Sequence, residues 1–142
     1  MKQRRVRFVV VGGYALAIAG VVRATYDLDL FVDPTKANAK RLSGVFREFG
    51  YLELSRLAPR YFARPEQMAA IGRSPLQVDF ITTIDGVNFS SAWRSRVEVP
   101  IAGTLVPFLG LEALLLNKRS TGRAKDRADV KALELLIRAR RR

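Results

Sequence analysis

Residues 26 to 32, Tyr-Asp-Leu-Asp-Leu-Phe-Val, begin by alternating polar and apolar side chains at a period of two. A β-strand imposes that period, because successive side chains leave opposite faces of the backbone. Tyr26 to Val32 is therefore expected to be a strand, with Leu28 and Leu30 turned into a core and Asp27 and Asp29 sharing the other face. The two carboxylates then stand about 6.6 Å apart along the chain and repel unless something positive lies between them. A magnesium ion suits that position, since it takes carboxylate oxygens and keeps open positions for phosphate. An exposed face of an edge strand gives the same pattern, so the Asp-Leu-Asp string is not sufficient alone.

The rest of the chain supplies the neighbours such a strand needs. Arg7 to Val11 is a β-branched run ending at Gly12-Gly13, and Tyr14 to Gly20 is alanine-rich, which reads as strand, tight turn, helix. Asp33-Pro34-Thr35 stops the second strand and caps a helix expected over Lys36 to Phe49, closed by Gly50. Tyr51 to Leu57 is expected as a third strand, and Pro59 to Ser74 as loop with a helical turn around Glu66 to Ala70. Leu76 to Ile81 alternates again as a central strand, Asp85-Gly86 marks a turn, and Arg96 to Ile101 pairs with Thr104 to Pro107 across Ala102-Gly103. Leu111, Leu114 and Leu115 sit at helical spacing before Lys118, and Val130, Leu133, Leu136 and Ile137 form an apolar stripe within a helix expected over Asp126 to Ala139. Ser120 to Lys125 reads as a polar connector, and Arg138 to Arg142 as a solvated end. The expectation is one mixed α+β domain over residues 1–142, a small mixed sheet flanked by helices with two helices at the carboxyl terminus.

Composition narrows the chemistry. The 142 residues contain no cysteine and no histidine, which excludes a disulfide framework, a thiolate zinc site, a cysteine nucleophile and a Ser-His-Asp triad. Catalysis must then run on carboxylates, lysine, hydroxyls or a hard metal ion. Lys and Arg number 25 against 13 Asp and Glu, a net charge of +12, and such an excess points to a polyanionic partner. The basic start and apolar run Phe8 to Val22 resemble a secretory signal in composition. Gly12-Gly13 breaks the run, however, and it leads straight into the Asp27-Leu28-Asp29-Leu30 alternation, so a soluble cytoplasmic protein with no membrane partner is expected.

Two further features join the acidic pair. Gly12-Gly13, between a strand and a helix, lets the backbone approach a ligand closely, and the following helix start offers unpaired N–H groups to phosphate. The spacing to Gly20 is not that of the dinucleotide fingerprint, and no Gly-Lys-Ser/Thr follows as in a P-loop. Asp79 lies between Val78 and Phe80, where an isolated buried carboxylate is costly. It either faces a solvated cleft or is compensated by a cation. Asp27, Asp29 and Asp79 on neighbouring strands can converge on two metal ions about 3.5–4 Å apart, as in-line displacement at phosphorus requires.

Val11-Gly12-Gly13, thirteen residues, Asp27-Leu28-Asp29-Leu30, and the later Val78-Asp79-Phe80 together resemble the signature of the polymerase-β-like nucleotidyltransferase superfamily. The strings Val9 to Gly20, Arg23 to Asp29 and Lys118 to Asp129 are similar to its small bacterial branch, which includes the AbiEii-type toxins of abortive infection systems. The resemblance implies the polymerase-β-like fold and transfer of a nucleotide from an NTP to a hydroxyl of tRNA, protein or a small antibiotic. It implies that Gly12 and Gly13 hold the triphosphate. Asp27, Asp29 and Asp79 would bind two magnesium ions, with manganese able to substitute, and Asp79 would also activate the acceptor hydroxyl. The net charge favours RNA, especially tRNA, as acceptor, and an acidic protein also fits. A domain of this fold that has lost catalysis and serves as an antitoxin or RNA-binding partner is the alternative reading. Many relatives carry a histidine just before the glycine at Gly20, where this chain has Ala19.

Other residues divide between site and scaffold. Arg23 and Thr25 precede the acidic pair and either reach nucleotide phosphate, which the resemblance favours, or order the loop, an arginine there being otherwise a surface residue. Lys118 follows Leu114 by four and Leu115 by three, so it is either a phosphate clamp at the cleft edge or a lysine snorkelling off an amphipathic helix. Asp126 is expected as a helix N-cap with Asp129 favouring the positive helix end. Arg119, Arg123 and Lys125 form a basic patch beside it, and Phe89 and Trp93 are expected to pack under the Ala102-Gly103 hairpin.

Overall fold

The computed structural model describes residues 4–21, 27–73 and 75–141. The expectations for Arg23 and Thr25 fall on residues outside this set. Strands β1 (Phe8–Val11), β2 (Leu28–Val32), β3 (Met68–Arg73), β4 (Leu76–Ile81), β5 (Val97–Ile101) and β6 (Thr104–Phe108) form one mixed sheet in the order β3-β4-β2-β1-β6-β5. Helices α1 (Gly12–Ala19), α2 (Lys36–Glu48), α3 (Leu52–Tyr61), α4 (Phe89–Arg94), α5 (Leu111–Thr121) and α6 (Arg127–Arg140) flank it. The mixed α+β architecture expected from the sequence is thus the one observed. Among the described residues no helix is long and apolar enough to cross a membrane.

The central four strands explain why the sequence is most apolar where it is. β1 runs antiparallel to β2, pairing Val10 with Leu30 and Val11 with Asp29, and β2 runs parallel to β4. Val9, Phe31 and Val32 are fully buried at this centre. Helices cover both faces, and alternation along the strands assigns them. Phe80 packs against Phe46 of α2 and Phe62 just beyond α3, with ring centroids 5.0 and 6.4 Å apart. Phe31, on the face it shares with Asp29, meets Phe89 of α4 edge-on at 5.2 Å. The α2–α3 pair therefore lies on the face opposite the carboxylates.

The first turn of α2 locks the far end of the β1–β2 pair. The fully buried Asn38 side chain accepts from the Arg7 amide at 2.7 Å and donates to the Arg7 and Asp33 carbonyls, each at 3.0 Å. Thr35, predicted to cap α2, does so by accepting from the Asn38 amide.

Several local expectations are corrected. Tyr51 to Leu57 is not a strand but the start of α3, whose apolar positions Leu54, Ala58 and Tyr61 follow helical spacing toward α2 and the sheet. Pro59 sits inside this helix and has no N–H for the carbonyl of Ser55, four residues earlier. The Ser43 hydroxyl of α2 donates to that carbonyl at 2.6 Å, and the Ser55 hydroxyl returns a bond to the Ser43 carbonyl at 2.9 Å. Nor is Pro59 to Ser74 a loop with a helical turn, because Met68–Arg73 pairs antiparallel with β4 along its length. The Thr82 and Thr83 hydroxyls accept from the Gln67 and Glu66 amides and anchor its entry. Phe89 and Trp93 lie on a short helix, α4, and the guanidinium groups of Arg7 and Arg96 lie 5.2 and 3.8 Å from the Trp93 ring centre. At the carboxyl terminus α6 continues through Arg140, so Arg138 and Arg140 are exposed, as a solvated end requires, but belong to a helix where no structured element was expected.

The reciprocal serine pair yields a test. Ser43→Ala removes the hydroxyl that donates to the buried Ser55 carbonyl and should cost about 1–3 kcal/mol in urea unfolding. In a Pro59→Ala background, where the residue 59 N–H can reach that carbonyl, the same substitution should cost clearly less.

Candidate active site

The cleft is built at one end of the β1–β2–β4 ladder. The register sets Asp29 directly beside Asp79 on the parallel strands and Val11 opposite Asp29. Residue pairs in register project to the same face, so the two carboxylates must share one side of the sheet. Asp27 lies one residue ahead of β2, not within it, and lines the same cleft as Asp29, Asp79, Gly12 and Gly13. This cleft measures about 630 Å³, and its opposite wall comes from α5 and the turn after it, with Lys118, Thr121 and Arg123. Structure thus brings together six of the eight residues singled out from sequence, the other two being Arg23 and Thr25.

Gly12 is required by two separate constraints. Its φ of +69° lies in the left-handed region that side chains disfavour, and a Cβ here would fall inside the van der Waals shell of the Asp29 Oδ2 atom. The backbone can therefore turn from β1 into α1 while the Asp29 carboxylate occupies the space beside it. The N-terminus of α1 has no side-chain cap and no acidic residue in its first turn. Its N–H groups and positive dipole end consequently remain for an anionic ligand in the cleft.

The electrostatics show how tightly the acids are gathered. Burial first, then the hydrogen-bonded Asp79 carboxyl and the charge of Asp27, push Asp29 up from 3.8 to about 6, while Lys118 pulls the other way. Gln77, two residues before Asp79 on the same strand face, donates to Asp79 Oδ1 at 2.7 Å and orients it. That partner escaped the sequence reading, although an i, i+2 polar pair on a strand is a visible signal. Among the described residues no three carboxylates form a ready-made metal cluster. The donor set is nevertheless all carboxylate oxygen at one cleft end, and after burial the Asp79 and Asp27 carboxylates add to the rise of Asp29. Both fit a hard divalent cation.

Lys118 departs from the snorkelling reading. It is 8% exposed and does not snorkel to solvent. Its ammonium lies 3.3 Å from Asp126 Oδ1 and 3.8 Å from Asp129 Oδ2. Asp126 was expected as an N-cap, but its side chain makes no cap bond to α6. Its other oxygen accepts from the Thr121 hydroxyl at 2.6 Å and Arg123 Nε at 2.8 Å. Burial would raise the Asp126 carboxyl, but the bonds from Thr121 and Arg123 and the charge of Lys118 outweigh it and lower it to about 2. A turn of 3₁₀ helix at Ala124–Asp126 brings the carboxylate back under α5. The polar connector thereby becomes an ion cluster that holds a lysine at the cleft wall.

Comparisons with known proteins bear on the family and the fold. A family model described as "Nucleotidyltransferase of unknown function (DUF6036)" matches residues 1–139. A crystal structure from Thermotoga maritima, described as a "putative nucleotidyltransferase", superimposes with a TM-score of 0.60 at 20% identity. The alignment covers 100% of this chain and 87% of that one, and establishes the likeness of fold. Among curated proteins nothing matches the chain.

Two predictions follow from the charges. A group whose folded pKa is raised loses stability as pH climbs from its unfolded value through its folded one. Asp29→Asn should therefore be more stable than wild type at pH 8, by about 1 kcal/mol after solvent screening. The gain should shrink below pH 6 and vanish near pH 4 in urea unfolding. Asp126→Ala strips the buried lysine of its nearer carboxylate and should cost about 3 kcal/mol by the same measurement at pH 7.

Proposed function

Because the chain belongs to the family of nucleotidyltransferases of unknown function, we propose that it transfers a nucleoside monophosphate from an NTP to a hydroxyl acceptor in a magnesium-dependent reaction. The observation that carries this reading is the in-register pair Asp29 and Asp79 beside the Gly12-Gly13 turn, with Lys118 across the cleft. Asp27, Asp29 and Asp79 would hold the magnesium. When bound, the metal neutralises their charge and that of the phosphates and supplies Lewis acidity at the α-phosphate.

The chain's own groups account for the remaining chemistry. The Gly12 and Gly13 amides at the start of α1 bind the β- and γ-phosphates, and Lys118 with Arg123 faces them from α5 and the turn after it. The acceptor oxygen bonds to the α-phosphorus as the bond to the bridging oxygen breaks and pyrophosphate leaves. Asp79, held by Gln77, accepts the hydroxyl proton. Positioning and charge stabilisation dominate such transfers. The acceptor is RNA, in keeping with the net charge of +12. The likeness of Lys118 to Asp129 to the small toxin-type branch supports a toxin–antitoxin or phage-defence setting.

The test is incubation with each labelled NTP and total cellular RNA or protein. Wild type should label one fraction in the presence of magnesium or manganese and lose that activity in EDTA. Asp27→Asn, Asp29→Asn and Asp79→Asn should each lower labelling at least about 100-fold with circular dichroism unchanged. Wild-type labelling by any of these variants would overturn the assignment. Binding of magnesium-NTP without any labelling would favour the non-catalytic binding module.

A further inference from the structure

The positive charge is not confined to the cleft. Residues 36 to 64 carry seven cations, Lys36, Lys40, Arg41, Arg47, Arg56, Arg60 and Arg64, against two acids, Glu48 and Glu53. Both acids lie toward the α2–α3 turn and both are engaged, Glu48 by Arg4 at 2.6 Å and Glu53 by Arg56 at 3.9 Å. At the other end of the helix pair, Lys36, Lys40, Arg60 and Arg64 line one concavity of about 380 Å³ with Pro59 and Ala63. No carboxylate borders it, all four cations are exposed, and none forms an ion pair among the described residues. A second concavity, with Arg47 and Arg56, continues the first through the shared Pro59. The result is a groove along the α2–α3 seam, most basic at the Lys36, Lys40, Arg60 and Arg64 end and on the sheet face opposite the carboxylates.

The floor of this groove is fixed. Ser43 and Ser55 are buried and bonded reciprocally beneath it, and the seam is further held by Phe46 and Phe62 on Phe80. Lys36 and Lys40, like Arg56 and Arg60, are four residues apart on their helices, which spaces their charges by about 6 Å along each wall. Lys36 and Lys40 on one wall and Arg60 and Arg64 on the other, all four unpaired among the described residues, leave like charges around one rigid concavity, an arrangement relieved when a chain of anions lies between them.

We propose that the α2–α3 seam is a docking track for the sugar–phosphate backbone of a single-stranded RNA. The repeated, carboxylate-free cations match a uniform polyanion better than the mixed surface of an acidic protein. The track engages backbone charge first, and its lining carries no Asn, Gln or carboxylate to read base edges alongside the cations. It anchors a long RNA to the body of the protein, independently of the cleft and of any transfer reaction there.

Fluorescence anisotropy with a labelled 20-nucleotide single-stranded RNA tests this across a salt series. The variant is Lys36→Gln/Lys40→Gln/Arg60→Gln/Arg64→Gln. Its control changes four exposed cations elsewhere, Arg94→Gln/Arg127→Gln/Lys131→Gln/Arg138→Gln, and removes the same total charge. The groove variant should lose at least about tenfold in affinity at moderate salt. Its slope of log K against log salt should flatten by about 2–3, near 0.7 for each lost phosphate contact. The control should change both much less. Circular dichroism and urea unfolding verify folding, and the milder Lys40→Gln/Arg60→Gln pair should show about half the slope change. Asp29→Asn should bind as wild type does, so loss of transfer activity leaves this proposal standing. Equal effects in groove and control variants would overturn it, as would competition by polyglutamate as strong as that by unlabelled RNA.

Discussion

The parallel pairing of β2 with β4 is the constraint on which the site depends. A parallel neighbour in register places Asp29 beside Asp79 and, one residue on, Leu30 beside Phe80. The same ladder therefore fixes the acidic cluster on one face and the aromatic packing against α2 and α3 on the other. Shifting β4 by one residue would turn Asp79 into the aromatic core and Phe80 into the cleft, which both faces oppose. The sheet can tolerate the repulsion at its acidic end because an extensively buried centre holds the strands in register.

The cleft balances that negative wall with a positive one built differently. The carboxylates come from strands and adjoin a glycine turn, so their spacing is set by backbone ladders. Lys118 comes from a helix and is placed by side-chain bonds to Asp126 and Asp129. A lysine so held has lost most of its rotamer freedom before any ligand arrives, which reduces the ordering cost of binding an anion. The cluster around Asp126 also explains why a short 3₁₀ turn intervenes between α5 and α6 where a simple loop would connect them.

How much of this the sequence disclosed depends on the range of the interactions. Period-two alternation identified β2 and β4, and the diglycine identified the turn into α1, because those signals are local. Asp27, Asp29 and Asp79 were legible as a set only through the combined motif, since nothing local states that β4 lies next to β2. The misread segments failed for nonlocal reasons. Pro59 argued against a helix and was overruled by Ser43 on a neighbouring element, while Met68 to Arg73 has weak strand character and takes its form from β4. Asp126 has the residue type and place of an N-cap. Its actual partners, Lys118, Thr121 and Arg123, became neighbours only once the chain had doubled back.

Asn38 bears on how the cleft end of the sheet can work. By bonding Arg7 and Asp33 together it staples the β1–β2 pair at the end remote from the acids. With the β2–β4 ladder gripping the acidic end and this staple gripping the other, the pair is clamped at both ends, so inner and outer faces cannot be exchanged by sliding and a charged guest meets a prearranged seat.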